Sequence, residues 1–293
     1  GLTIAGVSQD NGFNSSQLDN PWGLALTYDL TLYIADRYNN RIQKYKRNSS
    51  IGESLPNLSS ATLARPANIF LDSNENLYIA DGFHHRVLFW DKSTNSTTTI
   101  AGTGAPGNAT NELNYPYGIT RDINANILYI ADHYNHRIMA YSLNTNSCYV
   151  VATNNNSQLN LPISIYFDSI SRNLFVSSIG SHQILQWTFQ TYSWQLIAGS
   201  ASGTSGSDSM SLNGPLGFTF DPIGNLYVVD MYNHRIQFFF VNQLNGTTIA
   251  GVTSESGSNS TLLNHPYDVI LDSQLNIYVS DNQNHRVQKF LRY

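Results

Sequence analysis

The sequence contains few charged residues and very little lysine. Only 12% of its 293 residues are charged, and four lysines stand against 34 asparagines, with a formal net charge of −5. Binding to nucleic acid phosphates needs a basic stripe, and anchoring to acidic lipid needs a basic patch. The composition therefore argues against nucleic acid as the main partner and against a lipid anchor.

Cysteine and long apolar runs are also scarce. The single cysteine, Cys148, excludes an intrachain disulfide. The longest apolar run, near residues 238–241, is far shorter than the ~18 residues of a membrane-spanning helix. The chain starts at Gly1 within a strand-like segment, with no initiator methionine or signal peptide, so we expect a domain of a longer precursor.

What the sequence does contain is one unit repeated six times. A proline opens a short apolar run in each unit, and these prolines are Pro21, Pro66, Pro116, Pro162, Pro215 and Pro266. A turn and a second apolar run ending in Asp follow, as in residues 226–230. A third run begins with Arg five residues after the Asp, and a fourth reads Thr-Ile-Ala-Gly or similar. A unit of about 45 to 50 residues repeated along the chain indicates a repeat architecture.

Each unit is predicted to form four short β-strands. The runs are rich in Tyr, Ile, Val and Phe, the turns carry Asn, Gly, Asp and Ser, and no sustained 3.6-residue period predicts a helix. Four-stranded units repeated radially make a β-propeller. We therefore predict an all-β, six-bladed propeller forming one domain over residues 1–293. Residues 2–6 should pair with 286–291 as the outer strand of the last blade, which closes the ring and removes two sheet edges.

The repeated motifs resemble the NHL-repeat family. Asn-Leu-Tyr-Val-Val-Asp at 225–230 and Asn-His-Arg-Ile-Gln at 233–237 carry the resemblance, which extends over all six units. It implies a six-bladed propeller of four-stranded blades that serves as a general platform. Members of the family include protein- or RNA-binding propellers of tripartite-motif proteins, sensor ectodomains of bacterial kinases, and a zinc-dependent lyase that cleaves peptidyl-hydroxyglycine.

An Asp and an Arg recur together at the ends of the second and third strands. Five copies argue for structural ion pairs rather than an active site, and the pairs are Asp36/Arg41, Asp81/Arg86, Asp132/Arg137, Asp230/Arg235 and Asp281/Arg286. Unit four has Ser178 and Gln183 instead, so both partners are lost together. A paired interaction predicts this, because one buried charge left alone costs several kcal/mol.

The histidines divide into a periodic group and an irregular one. Five recur four residues after the Asp position and are interpreted as structural: His85, His136, His182, His234 and His285. His84, His133 and His265 fall outside the period, and three histidines could bind zinc. An enzyme similar to the amidating lyase is therefore kept as an alternative, although that lyase also has disulfides. No nucleophile elbow, phosphate-binding loop or His-Glu-x-x-His motif occurs, so we expect no catalytic residue, metal or cofactor.

Variable positions on one face are the candidate ligand site. The connections between units and the loops joining second and third strands open on the same side of a propeller, around the channel. Residues there differ between units while their flanks repeat, as expected where loops contact a ligand. The predicted ligand-binding face comprises Trp22, Arg37, Arg65, Tyr117, His133, Met231, Tyr267 and Asn282.

The aromatic residues of this face are expected to be exposed at the channel mouth, which suits a protein, peptide or glycan ligand. An RNA-binding propeller is the second alternative, but Arg37 and Arg65 are few cations for phosphates. The leading hypothesis is a non-catalytic recognition module, monomeric and part of a larger chain.

Eight Asn-x-Ser/Thr sequons lie around the predicted outer strands. They are Asn14, Asn48, Asn57, Asn95, Asn108, Asn155, Asn245 and Asn259. Their absence from the second strands is consistent with surface glycosylation of a secreted domain. We therefore expect an extracellular location, with a cytoplasmic one as the alternative.

Overall fold

The architecture is a six-bladed β-propeller. The structure, a computed structural model, describes residues 1–154 and 158–292. In these residues, 24 strands form six four-stranded antiparallel sheets. The predicted all-β propeller fold is confirmed.

Strands of the first three blades, from the channel outward, are β2 (Pro21–Leu26), β3 (Leu32–Asp36), β4 (Arg41–Tyr45) and β5 (Glu53–Ser54); β6 (Pro66–Leu71), β7 (Leu77–Asp81), β8 (Arg86–Asp91) and β9 (Ser96–Ala101); and β10 (Pro116–Asp122), β11 (Ile127–Asp132), β12 (Arg137–Ser142) and β13 (Cys148–Thr153). Those of the last three are β14 (Pro162–Asp168), β15 (Asn173–Ser178), β16 (Gln183–Thr188) and β17 (Ser193–Ala198); β18 (Pro215–Phe220), β19 (Leu226–Asp230), β20 (Arg235–Phe239) and β21 (Gly246–Gly251); and β22 (Pro266–Leu271), β23 (Ile277–Asp281), β24 (Arg286–Phe290) and β1 (Leu2–Gly6).

The second strand of each blade forms the core. Every residue of β3, β7, β19 and β23 is buried, because each sheet packs between two neighbouring sheets. Burial on both faces explains why these strands read as continuous apolar runs rather than as an alternating pattern.

The first strands line the channel and approach one another closely. A Cβ added at Gly217 would lie 2.7 Å from the Cα of Asp268 in the next blade, and one at Gly118 would lie 2.8 Å from the Cα of Ser164. Glycine is therefore required where two inner strands meet.

The ring closes as predicted. β1 pairs antiparallel with β24, with Leu2 opposite Lys289 and Gly6 opposite Arg286. The last blade thus combines three strands from the end of the chain with one from its beginning.

Helix in the described residues is confined to short 3₁₀ turns between second and third strands. They cover Gly82–His84, His133–Asn135, Ile179–Ser181, Met231–Asn233 and Asn282–Asn284. Among the residues described, no helix has the length and apolar character needed to cross a membrane.

Candidate functional site

The loops that build the candidate face are fixed by the predicted ion pairs. In blade five, Arg235 Nε donates to Asp230 Oδ2 at 2.8 Å, and both side chains are buried. Asp230 also accepts the Asn213 N–H at 2.6 Å and Asn233 Nδ2 at 2.8 Å. The remaining Arg235 nitrogens donate to main-chain carbonyls of the connection from the preceding blade, including that of Ser207. The pair therefore fastens the inter-blade connection to the loop after the second strand.

The same arrangement recurs in five blades. Nε–Oδ2 distances lie between 2.6 and 2.9 Å in the pairs Asp36/Arg41, Asp81/Arg86, Asp132/Arg137, Asp230/Arg235 and Asp281/Arg286. Blade four replaces the charges with neutral groups. Ser178 Oγ accepts the Asn160 N–H at 2.8 Å, and Gln183 Nε2 donates to the Ser200 carbonyl at 2.7 Å.

The five periodic histidines connect neighbouring blades. Each occupies the left-handed backbone region at the end of a 3₁₀ turn. Each Nδ1 accepts an N–H from the residue before the proline of the following blade, at 3.1 to 3.3 Å; the donors are Tyr115, Leu161, Gly214, His265 and Asn20. Asn40 Oδ1 does the same in blade one, accepting the Arg65 N–H at 2.8 Å.

The three irregular histidines make separate contacts. His84 Nδ1 lies 2.9 Å from Asp81 Oδ2, and His133 Nδ1 lies 3.1 Å from the Pro162 carbonyl. His265 Nδ1 lies 2.9 Å from Asn264 Oδ1. Within residues 1–154 and 158–292, no three His, Cys, Asp or Glu side chains are placed to hold a metal.

Five of the predicted face residues meet around the channel axis. We call Trp22, Arg37, Tyr117, His133 and Tyr267 the channel-mouth cluster. Trp22 stacks on Tyr267 with ring centroids 3.8 Å apart and meets Tyr117 edge-on at 5.4 Å. The Arg37 guanidinium lies 3.4 Å from the Trp22 ring centroid, and Tyr117 packs 4.5 Å from His133. Residues from blades one, three and six thus fill the axis together.

The expectation that these aromatic residues are exposed is wrong. Tyr117 and Tyr267 are only 8% and 5% exposed, and Trp22 is half-buried. The position after each proline lies on an inner strand, where six strands converge and rings pack on one another. Truncating these residues therefore removes packed apolar area as well as any ligand contact.

Ionisation within the cluster leaves one positive charge. Burial lowers the pKa of His133 to about 4, so the imidazole is neutral at pH 7. Burial raises the pKa of Tyr117 and of Tyr267, so both hydroxyls stay protonated. Burial also lowers the pKa of Arg37, but a guanidinium remains charged in proteins.

The other three predicted face residues surround this cluster. Arg65 is exposed, and its guanidinium lies 5.2 Å from the ring centroid of Phe83. Met231 is half-buried, and Asn282 is buried, with Nδ2 donating to the Pro21 carbonyl at 3.3 Å.

Sequence reasoning missed the exposed aromatic residues. They occupy the second position after the Asp, at the middle of each 3₁₀ turn or its equivalent, and are 46% to 52% exposed; we call Tyr38, Phe83, Tyr134 and Tyr232 the aromatic rim. The signal was available, because this position is aromatic in four of the six units and only Gly180 and Gln283 depart from it. Each ring directly follows the first residue after the Asp, the position that holds Arg37 and His133 in the channel-mouth cluster.

A pocket of about 400 Å³ lies at the channel mouth. Trp22, Tyr117, His133 and Tyr267 line it on one side. Apolar, amide and imidazole side chains complete the lining, among them Ile163, Ile179, Leu216, Met231, Tyr232, His265 and Gln283. An apolar pocket with a few polar groups is the form that ligand sites commonly take.

A larger groove, of about 800 Å³, lies between blades four and five and includes their strand turns on the side of the ring opposite the channel mouth; we call it the outer groove. Ile170, Ile223 and Phe240 line it and are 94%, 75% and 62% exposed. It belongs to no predicted site and is a rival surface that any binding experiment must address.

The sequons lie on exposed turns. Seven of the eight asparagines are exposed: Asn14, Asn48, Asn57, Asn95, Asn108, Asn245 and Asn259. Asn155 lies outside the described residues. Glycosylation and an extracellular location stay predictions.

Comparison with known proteins agrees with this architecture. Six four-stranded blades form a closed ring, and the Asp/Arg pair recurs in the loops of five of them. The fold is therefore a repeat propeller. The sequence profile of the NHL repeat matches residues 18–45 and 263–290, in the first and last blades. The human protein "NHL repeat-containing protein 2" is 34% identical over 93 residues, which is 29% of this chain and 13% of that protein's length. The chain is a six-bladed β-propeller whose first and last blades match the NHL repeat.

Solved structures share the fold at low identity. A protein of unknown function from Bacteroides thetaiotaomicron superposes with a TM-score of 0.79 at 16% identity, covering 99% of this chain and 74% of that one. Virginiamycin B lyase from Staphylococcus aureus gives a TM-score of 0.64 at 13% identity, covering 96% and 87%. Identities this low show the fold alone.

Proposed function

We propose that the propeller is a non-catalytic recognition module that binds a protein, peptide or glycan ligand at the channel mouth. The observation that carries the proposal is the aromatic rim: four half-exposed rings stand on the loops of the channel-mouth face, and one of them, Tyr232, lines the pocket of about 400 Å³. Tyr and Phe side chains provide large contact area at low conformational entropy cost. The rim is held rigidly, because each loop is anchored through its Asp and through contacts with the next blade.

Neither alternative has comparable support. The lyase alternative depends on three histidines that make separate contacts, and the similarity to virginiamycin B lyase extends only to the fold. An RNA-binding face would need several exposed cations. Of the two arginines in the predicted face, Arg37 is buried against Trp22 and only Arg65 is exposed.

The test uses exposed residues so that binding and folding are separated. A random peptide library and a glycan array are screened against the intact chain, and the affinity of each hit is measured for variants. Changing Tyr134 and Tyr232 to Ser should weaken binding by about 2 kcal/mol for each hot-spot ring, or roughly 30-fold in Kd. The melting temperature should change little, because both rings are half-exposed.

Matched controls lie on other surfaces. Tyr28 is 96% exposed in the turn between the first and second strands of blade one, on the opposite side of the ring. Tyr28→Ser and, in the outer groove, Ile223→Ser should leave binding intact. If either control variant weakens the binding of a selected ligand and the rim variants do not, the proposed site is wrong.

A further inference from the structure

Arg37 is a buried cation with no carboxylate partner among the described residues. It is 5% exposed, and none of the ion pairs in that part of the chain includes it. Its Nη1 donates a hydrogen bond to the Arg65 carbonyl at 3.0 Å, and the Tyr117 hydroxyl also accepts from the guanidinium. By contrast, Arg41 reaches a carboxylate and three main-chain carbonyls. A guanidinium carries five N–H donors in a planar fork, so most of the Arg37 donors have no protein acceptor.

The surroundings of Arg37 compensate its charge only in part. Its guanidinium lies 3.4 Å from the Trp22 centroid and 5.6 Å from that of Tyr117. Cation–π contacts of this kind stabilise a cation less than the desolvation of a buried charge destabilises it. The equivalent position is uncharged at neutral pH in the other blades, where it holds Gly82, His133, Ile179, Met231 and Asn282. The charge is therefore a local feature of the channel mouth and not part of the repeated scaffold.

The chemistry of the missing partner follows from the charge count. The cluster provides one positive charge, because His133 is neutral, and burial also lowers the pKa of His265 beside the pocket. The chain as a whole carries −5. A dianionic phosphate or a polyanion would keep uncompensated charge beside a single cation, whereas one guanidinium fork balances the single negative charge of a carboxylate. The adjoining pocket is lined by Ile163, Ile179 and Leu216, which suit an apolar side chain.

We propose that the ligand is a peptide segment that presents a carboxylate to Arg37 and an apolar side chain to the adjoining pocket. The proposal rests on the channel mouth being the ligand site. A sugar acid has the same anionic group but lacks the apolar side chain that would match Ile163, Ile179 and Leu216.

The experiment compares two probes that differ only in charge. N-acetyl-phenylalanine carries a carboxylate, and N-acetyl-phenylalaninamide is its neutral counterpart. Affinities are measured on the intact chain by ligand-observed NMR and calorimetry. The acid should bind at least 10-fold more tightly than the amide to the unmodified protein. In Arg37→Gln the preference should fall below 2-fold, while Arg47→Gln, which removes one exposed charge from the turn after β4, outside the predicted face, should retain it.

The outcomes separate this proposal from the broader one. Equal affinity for acid and amide, or no binding of either probe, overturns the carboxylate assignment but leaves the library screen and rim variants free to support the proposed function. If Arg37→Gln still prefers the acid, another residue binds the carboxylate, and the assignment to Arg37 is overturned. D-glucuronate binding more tightly than N-acetyl-phenylalanine overturns the peptide assignment. Should Arg37→Gln fail to fold, Arg37→Lys, which keeps the charge but not the planar fork, should lower the acid preference at least 3-fold.

Discussion

At the scale of single residues, the channel wall carries a second unpaired charge, Asp268. Both carboxylate oxygens accept main-chain N–H groups at 2.9 Å, one from Leu24 of blade one and one from Val269. No cation lies within salt-bridge distance among the residues described. Burial raises the pKa of Asp268 to about 7. The carboxyl group therefore links the inner strands of the last and first blades, and its ionisation is costly.

Asp268 should make the protein less stable as the pH rises from 5 to 8. The pKa is about 7 in the folded chain and 3.8 in the absence of burial. Between these values the native state binds more protons than the unfolded state, so stability falls with increasing pH and the full penalty is reached above pH 7. Between pH 5 and pH 8, the free energy of unfolding measured in urea should fall by about 2 to 3 kcal/mol more for the unmodified protein than for Asp268→Asn. Loss of one N–H acceptor in the variant is the same at both pH values and cancels. Identical pH slopes for the two proteins would contradict the buried, unpaired state.

The sequence predicted which residues share a face but not how deeply they lie. Strand alternation within a repeat places Trp22, Tyr117 and Tyr267 on one side of the ring, because every unit follows the same path. The burial of each side chain depends on which side chains of the other blades pack against it at the channel axis. The stacking of Trp22 on Tyr267 joins residues 245 positions apart, and no local pattern encodes that contact. The exposed rim was predictable in principle, since its aromatic residues recur at a fixed position.

At the scale of elements, the loop between second and third strands is the unit that the repeat preserves. The strands were predictable because period and turn residues coincide in every unit, and the terminal Asp recurs in five of the six. The 3₁₀ turns were not, because three residues are too few to show a helical period. The histidine contacts were also hidden, since each joins two blades. Four of them span 25 to 32 residues of sequence, and the fifth, His285–Asn20, spans 265.

The Asp/Arg pair of this loop should behave as a coupled unit. Burial raises the pKa of Asp230, while the Asn233 amide, the Asn213 N–H and Arg235 lower it, so the pair offsets a large desolvation cost. Asp230→Ser should cost about 3 kcal/mol, because Arg235 is left without its anion. Adding Arg235→Gln reproduces the neutral pair of blade four, and the double variant should lose at least ~1 kcal/mol less than the sum of the singles. Chemical denaturation of the four proteins measures this, and strict additivity would mean that the two side chains do not interact.

At the scale of the whole molecule, stability depends on closing the ring. Each blade packs only against its two neighbours. If the first and last blades separate, the ring therefore gains two exposed blade surfaces that the closed ring does not have. Here the junction consists of the β1–β24 ladder, the Leu24–Asp268 hydrogen bond and the buried side chain of Ala5. The first and last segments of the chain therefore carry a structural role that no internal blade has.

Deleting residues 1–8 should open this junction. The outer edge of β24 would lose its partner, and the apolar groups around Val287, which is fully buried, would face water. We expect a loss of several kcal/mol, which for a domain of this size lowers the melting temperature by about 10 °C. A synthetic peptide of residues 1–8 added in excess should restore part of the stability, because a ligand that binds only the folded state stabilises it by mass action. A peptide of the same composition in scrambled order should not. A truncated protein that melts within about 2 °C of the full chain, or that gains as much from the scrambled peptide, would show that the β1–β24 pairing does not hold the ring closed.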